Sequence, residues 1–112
     1  MEFRVVFFND KVEKETLNFP KGILANFIHI VEMIEEFGLS LGMPYISKVE
    51  KGLFEIRAKG VEGIGRSFFY ATKNKEIVIL HSFIKKTRKI PLKEIKTARK
   101  RLKEYKNGQG NF

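Results

Sequence analysis

The sequence has 112 residues, 43% of them hydrophobic, and this length suits one compact domain with a core of its own. It contains no cysteine and only two histidines, neither of them in a metal-ligand motif. This excludes a disulfide framework and a thiolate metal site, and we predict neither a metal nor a cofactor. The formal net charge of +9 predicts an anionic partner.

Neither a membrane anchor nor a signal peptide is predicted. No apolar run approaches the roughly 20 residues that cross a bilayer, and the N-terminal segment soon turns acidic and polar. We therefore expect a soluble cytoplasmic protein without a membrane partner.

The cations are concentrated in residues 85–106, where Glu94 and Glu104 are the only acids. The charge alone leaves three classes of partner open for this segment: a nucleic acid, an acidic protein or an anionic membrane surface. A merely solvated surface is the alternative.

The N-terminal part of the chain predicts one strand followed by two helices. Residues 3–8 are rich in β-branched and aromatic side chains and stop at Asn9, a typical helix cap. A short helix is expected over residues 11–19, and Pro20 ends it. A second helix follows, because apolar residues recur at three- and four-residue spacings until Gly38. These apolar residues are Ile23, Phe27, Ile30, Val31 and Ile34.

The middle of the chain predicts four consecutive strands, over residues 45–49, 53–59, 64–72 and 76–84. Their short connections suit hairpins better than helical crossovers, so we expect an antiparallel meander. In such a sheet the helices can cover one face while the other face stays at least partly open to a ligand.

The C-terminal part predicts a basic amphipathic helix. Pro91 lies where a helix can begin, and apolar residues follow at helical spacing with Lys and Arg between them. These apolar residues are Leu92, Ile95, Ala98, Leu102 and Tyr105. The predicted fold is α+β, with an antiparallel β-sheet, an N-terminal helical hairpin and a C-terminal helix in a single domain over residues 1–106. We expect residues 107–112 to form a flexible tail.

Two arginines on neighbouring strands are the first candidate site. Alternation along residues 53–59 places Glu55, Arg57 and Lys59 on the same face of the sheet, where we expect them to meet water or a ligand. Arg66 is close enough to the same hairpin to converge with Arg57, and two neighbouring guanidinium groups favour a phosphate. The alternative is an ion pair between Arg57 and a carboxylate: Glu55, Glu62 or Glu76.

A second candidate site lies in residues 80–91, where the predicted strand is followed by a run of cations. An aromatic residue, Phe83, precedes these cations in the sequence. Such a mixture offers phosphate contacts together with a stacking surface, and a solubilising basic loop is the alternative. The polar members are Lys85, Lys86, Thr87, Arg88 and Lys89. His81 is able to transfer protons near neutral pH, and its alternative role is that of a hydrogen-bonded structural histidine.

Three segments carry a family resemblance: LFEIR (residues 53–57), GIGRSFFY (63–70) and HSFIKKTRKIP (81–91). In order and spacing they resemble the signature of HigB-like and phage-derived toxins in the RelE/ParE superfamily, and the resemblance covers about residues 1–106. It implies a toxin that enters the ribosomal A site and cleaves the mRNA presented there. It also implies a cognate antitoxin, often a helix-turn-helix protein of the HigA type.

The resemblance further implies roles for single residues. Arg57 and Arg66 resemble the arginines that hold and polarise the scissile phosphate, and Lys85, Lys86 and Phe83 match the functional end segment of the family. His81 occupies the strand-end position of the family, whose role varies among its members. The implied catalytic residues are Arg57, Arg66, Lys85 and His81. The candidate RNA-binding residues are Lys59, Phe83, Lys86, Thr87, Arg88 and Lys89. The implied chemistry needs no metal, because the ribose 2′-OH attacks the adjacent phosphate and leaves a 2′,3′-cyclic phosphate and a 5′-OH.

Two other functions stay open at this point. A ParE-like protein of the same superfamily would bind and inhibit DNA gyrase without cleaving RNA, and a catalytically silent protein would only bind RNA. The nuclease predicts breaks within translated codons, whereas the gyrase inhibitor predicts DNA damage. The silent protein predicts RNA binding with a steep salt dependence and no product.

Overall fold

The structure is a computed structural model that describes residues 2–86 and 89–109. It contains a five-stranded sheet, three α-helices and a short 3₁₀ turn, Gly38–Leu41. The strands are β1 (Arg4–Phe7), β2 (Ile46–Glu50), β3 (Leu53–Gly60), β4 (Gly63–Ala71) and β5 (Glu76–Lys85). The helices are α1 (Asp10–Leu17), α2 (Lys21–Phe37) and α3 (Leu92–Gln109).

The sheet has the strand order β1-β5-β4-β3-β2. Strands β2 to β5 pair antiparallel with their neighbours, which confirms the predicted meander. β1 pairs parallel with β5 at one edge, and it makes the sheet mixed. The sequence pattern predicted β1 as a strand but assigned it no partner, because its pairing joins residues about seventy positions apart.

Local sequence signals explain where α1 begins and where α2 ends. The Asn9 side chain accepts a hydrogen bond from the backbone N–H of Val12 at 2.9 Å and so caps α1. α2 ends at Gly38, whose φ of 62° lies in the left-handed region that glycine adopts without strain. A Cβ atom there would also lie 2.2 Å from the ring of Phe3, so the position admits only glycine.

The helices lie on both faces of the sheet. α1 and α2 pack on the face that carries Ile56, Ala58 and Phe69, where the larger core cluster lies. α3 packs on the opposite face, in a second cluster. The buried members of that cluster are Leu53, Phe68, Val78, Leu80 and Ala98. The expectation that the helices share one face is therefore wrong for α3, which covers part of the face that was expected to stay open.

A chain of buried hydroxyl groups links α1 to the centre of the sheet. The Oγ atoms of Ser67 and Ser82 lie 2.8 Å apart on paired strands, and Ser82 Oγ lies 2.6 Å from Thr16 Oγ1. Thr16 donates in turn to the carbonyl oxygen of Val12 at 2.8 Å. Each buried hydroxyl is therefore satisfied, and the chain ties the register of β4 against β5 to the position of α1.

α3 is fastened to the sheet by polar contacts as well as by its apolar side. Arg99 binds Glu50 of β2 with two hydrogen bonds, Nε to Oε2 at 2.8 Å and NH2 to Oε1 at 2.7 Å. Arg101 donates to the carbonyl oxygen of Leu80 in β5 at 2.9 Å. The helix runs to Gln109, beyond the predicted domain end at residue 106, while residues 110–112 lie outside the described part of the chain. No helix within the described ranges is long and apolar enough to span a membrane.

Replacing the buried ring of Phe69 tests the larger core. Phe69 is fully buried and stacks on Phe54, with ring centroids 5.6 Å apart. We expect Phe69→Ala to lower the free energy of unfolding by about 3–5 kcal/mol, measured by urea denaturation. The matched control is Phe37→Ala, since Phe37 is 52% exposed and its loss should change stability by less than about 1 kcal/mol. Equal losses in the two variants would contradict this account of the core.

Acid should weaken the contact that fastens α3 to β2. The hydrogen bond from Arg99 lowers the pKa of Glu50 below its ordinary value of 4.5, so the pair stabilises the fold above that pH and is lost as the pH falls through the lowered pKa. We expect the difference in stability between the wild type and Glu50→Gln to be largest near neutral pH and to shrink as the pH falls below 4.5 and through the lowered pKa. Glu36→Gln, at an exposed position, is the control for the lost charge. A difference that persists in acid would contradict the prediction.

Candidate functional site

Six of the ten predicted site residues lie on the sheet face that carries α3. The registers of β3, β4 and β5 align nine residues of this face in three rows across the strands. The rows are Lys59, Ile64 and Lys85; Arg57, Arg66 and Phe83; and Glu55, Phe68 and His81. We call these nine residues the strand patch. It contains all four predicted catalytic residues and two of the predicted RNA-binding residues.

Arg57 and Arg66 lie directly opposite each other at the centre of the strand patch. The backbone N–H of Arg57 points away from β4 and donates to the carbonyl oxygen of Tyr45 at 2.9 Å. The two arginines thus form a non-hydrogen-bonded pair, in which Cα atoms approach to about 4.5 Å and side chains are closest. Like charges so placed repel each other, so the arrangement needs a compensating negative charge.

Glu55 supplies that charge from within the sheet. Its carboxylate forms an ion pair with NH1 of Arg66, and Glu55 and Arg66 are only 5% and 7% exposed. Ser47, opposite Glu55 on β2, donates its hydroxyl to Glu55 Oε1 at 2.9 Å. The expectation that the whole polar set of β3 faces water or a ligand is therefore wrong for Glu55, which reaches diagonally across to β4 and is buried there.

Arg57 has no ion-pair partner among the described side chains. Each acid named as its alternative partner is engaged elsewhere, since Glu55 binds Arg66, Glu62 accepts from Gly22 N at 2.9 Å and Glu76 pairs with Arg4. Three buried polar atoms of the strand patch lack a hydrogen-bond partner within the described ranges. These atoms are Nε of Arg57, Nε of Arg66 and Oε2 of Glu55. The centre of the patch thus has donor capacity that the fold leaves unused.

His81 is held between α3 and an aromatic ring. Its Nε2 lies 2.9 Å from Glu94 Oε1, and Arg101 NH1 lies 3.4 Å from its Nδ1. The ring of Phe83 stacks on His81 with centroids 5.6 Å apart and an angle of 23° between the planes. His81 is 9% exposed. The contact with Glu94 was missed in the sequence, because only the placement of α3 on this face brings the two residues together.

The basic segment after β5 is described only in part. Lys85 is half-buried at the end of β5, whereas Lys86 and Lys89 are exposed. Thr87 and Arg88, both predicted to bind RNA, lie outside the described residues. The bulge at the pairing of Phe68 and Phe69 with β5 places Leu80 and His81 on the same side of the sheet, where both contact α3. The end of β5 therefore directs Phe83 and Lys85 into the strand patch.

The sequence and the fold are similar to known proteins. Residues 14–103 match the family described as phage-derived protein Gp49-like (DUF891). The structure is similar to a chain of the archaeal RelE–RelB complex from Pyrococcus horikoshii OT3, with a TM-score of 0.54 and 22% sequence identity over 75% of this chain and 96% of that chain. No curated protein matches the sequence significantly. The family match confirms the resemblance drawn from the motifs, and the structural match confirms the predicted fold class.

Proposed function

The chain belongs to the phage-derived Gp49-like family of RelE/HigB-type toxins, and from this membership we propose that it is a toxin that cleaves mRNA in the ribosomal A site. The observation that carries the proposal is the central row of the strand patch, Arg57, Arg66 and Phe83. Two guanidinium groups beside a half-buried aromatic ring suit a phosphodiester and the base next to it.

The proposed reaction is an in-line transesterification within the RNA. The 2′ oxygen bonds to the adjacent phosphorus and loses its proton to water, while the bond from phosphorus to the 5′ oxygen breaks and that oxygen is protonated. The products are a 2′,3′-cyclic phosphate and a 5′-OH. Because the RNA supplies the nucleophile, the protein has to align the two oxygens and stabilise the charge that builds on the phosphorane.

Arg57 is the main anion ligand in this proposal. Its guanidinium has no ion pair among the described residues, so a phosphate can take its full charge. Arg66 donates NH1 to Glu55, and its Nε has no partner among the described residues. Lys85 lies one row away and adds a third cation. Ammonium and guanidinium groups are poor bases, so we expect slow cleavage of free RNA, with the ribosome aligning the 2′-OH.

RNA binding in the proposal extends outward from the central row. Phe83 provides a stacking surface for a base, while Lys59, Lys86 and Lys89 provide phosphate contacts. Thr87 and Arg88 remain predicted contacts in the segment outside the described ranges. The toxin would act in the cytoplasm, where ribosomes translate.

An antitoxin is the expected protein partner. The structurally similar RelE chain is from a complex with RelB, and we propose that a cognate antitoxin, of the helix-turn-helix HigA type, neutralises this chain as well. Burial of exposed cations such as Lys86 and Lys89 against acids of the partner would keep RNA from the strand patch.

Loss of Arg57 should abolish most of the cleavage. We expect Arg57→Ala to reduce mRNA cleavage on translating ribosomes by about 100-fold or more, because a donor to the phosphorane is removed. The matched control is Arg4→Ala, which removes the same charge at the far edge of the sheet and should leave cleavage within about threefold of the wild type. Mapping of RNA ends after brief expression gives the readout. If Arg57→Ala cleaves mRNA as fast as the wild type, the proposed site is wrong. DNA damage without RNA breaks would indicate a gyrase inhibitor.

His81 should act by holding Phe83, because its Nε2 is bound to Glu94 and its ring is stacked. We expect His81→Gln to slow cleavage by about tenfold. Its cleavage rate should follow the same pH dependence as that of the wild type between about pH 5.5 and 7.5, because a histidine that only positions Phe83 transfers no proton. If the wild-type rate changes across this range and the change is absent in His81→Gln, His81 transfers a proton and the positioning role is wrong.

A further inference from the structure

Glu55 is the buried acid of the strand patch to which the proposed reaction gives no role. It is 5% exposed, and one of its oxygens, Oε1, takes both the ion pair with Arg66 and the hydrogen bond from Ser47 at 2.9 Å. The other oxygen, Oε2, is buried without a partner among the described residues. A buried carboxylate oxygen that lacks a hydrogen-bond partner costs stability.

The strand register places Glu55 on the diagonal from Arg66. Glu55 pairs with Phe68 and Arg66 with Arg57, so the Glu55 carboxylate crosses to β4 to form its ion pair with Arg66. Ser47, opposite on β2, fixes the carboxylate from the other side. The acid is thus held between β2 and β4, and of the two arginines it pairs with Arg66.

This contact gives the two arginines different roles. The buried ion pair neutralises one of two facing cations, which allows Arg57 to lie opposite Arg66 without strong repulsion. It also holds NH1 of Arg66 inside the sheet, so that the orientation of the planar group, and with it the direction of Nε and NH2, is set. A fixed donor stabilises a transition state better than a mobile one, because it need not reorganise during the reaction.

We infer that Glu55 is the positioning residue that aims Arg66 at the scissile phosphodiester. The inference rests on the proposed ribonuclease function and names the residue that sets the geometry of the same site. Glu55 reaches the substrate only through Arg66. It therefore lowers the net positive charge that RNA meets at the strand patch while it raises the rate of the chemical step.

This role predicts that binding and cleavage change in opposite directions. Glu55→Gln removes the negative charge and releases Arg66, so a short fluorescein-labelled single-stranded RNA should bind more tightly. The salt dependence of binding should become steeper by about 0.7, the value for one added phosphate contact on single strands. Single-turnover cleavage of mRNA on ribosomes should nevertheless fall by about 100-fold, because Arg66 is no longer aimed. A merely structural role for Glu55 would weaken both readings together.

The matched control is Glu62→Gln, in the turn of the same hairpin. It removes the same charge from an exposed side chain that accepts from Gly22 N, a hydrogen bond that an amide oxygen can replace. We expect wild-type cleavage and less than half of the change in salt dependence seen for Glu55→Gln. Equal RNA affinity and salt dependence in the two variants would overturn the inference, because the charge of Glu55 would then have no special access to RNA.

Ser47→Ala tests the same geometry with the charge intact, and it covers the case in which Glu55→Gln does not fold. It removes only the hydrogen bond that holds Glu55 from β2. We expect the salt dependence to match that of the wild type and cleavage to fall by about three- to tenfold. Unchanged cleavage in Ser47→Ala contradicts the positioning role. If the wild type cleaves no mRNA on ribosomes, the proposed function fails, and the RNA affinities still decide whether Glu55 restrains Arg66.

Discussion

The antiparallel register between β3 and β4 is the constraint on which the rest of the structure depends. It places Arg57 opposite Arg66, and a slip by one residue would turn one of them into the core. The register is held from the other face of the sheet, where Ile56 and Phe69 are fully buried under the helices. The apolar core therefore does more than stabilise the fold, because it also determines which cations meet on the opposite face.

The two faces of the sheet differ in what they can tolerate. The face under α1 and α2 is closed, and its polar groups, such as Ser67 and Ser82, satisfy each other. Within the part of the chain that the structure describes, α3 covers one portion of the opposite face, and next to α3 this face has buried donors without partners, among them Nε of Arg57. Unsatisfied buried groups cost stability, typically about 1–3 kcal/mol each, and departures of this kind are found mainly at functional sites.

The sequence predicts the faces of the strands better than the contacts between them. Alternation along β3 correctly separates Ile56 from Arg57, because that pattern depends only on the local backbone. The pairing of β1 with β5 and the contact of Glu94 with His81 depend on chain segments that meet only in the folded state. The burial of Glu55 is missed for a related reason, since a charged residue in an alternating strand indicates a solvated face unless its diagonal partner is known.

The positive charge of the chain and the chemistry of the strand patch are separate properties. Most of the cations, including Lys93, Lys96 and Lys100 on α3, are exposed, and such charges attract an anionic partner over a long range, screened by salt and independent of its sequence. The strand patch differs from this exposed surface, because its buried acid, Glu55, neutralises the charge of one of the two central cations. On a surface that served only to attract RNA, that acid would simply weaken the electrostatic attraction. In the proposed reaction, a site that has to hold one phosphate in a fixed orientation does gain from it, because a fixed donor need not reorganise in the transition state.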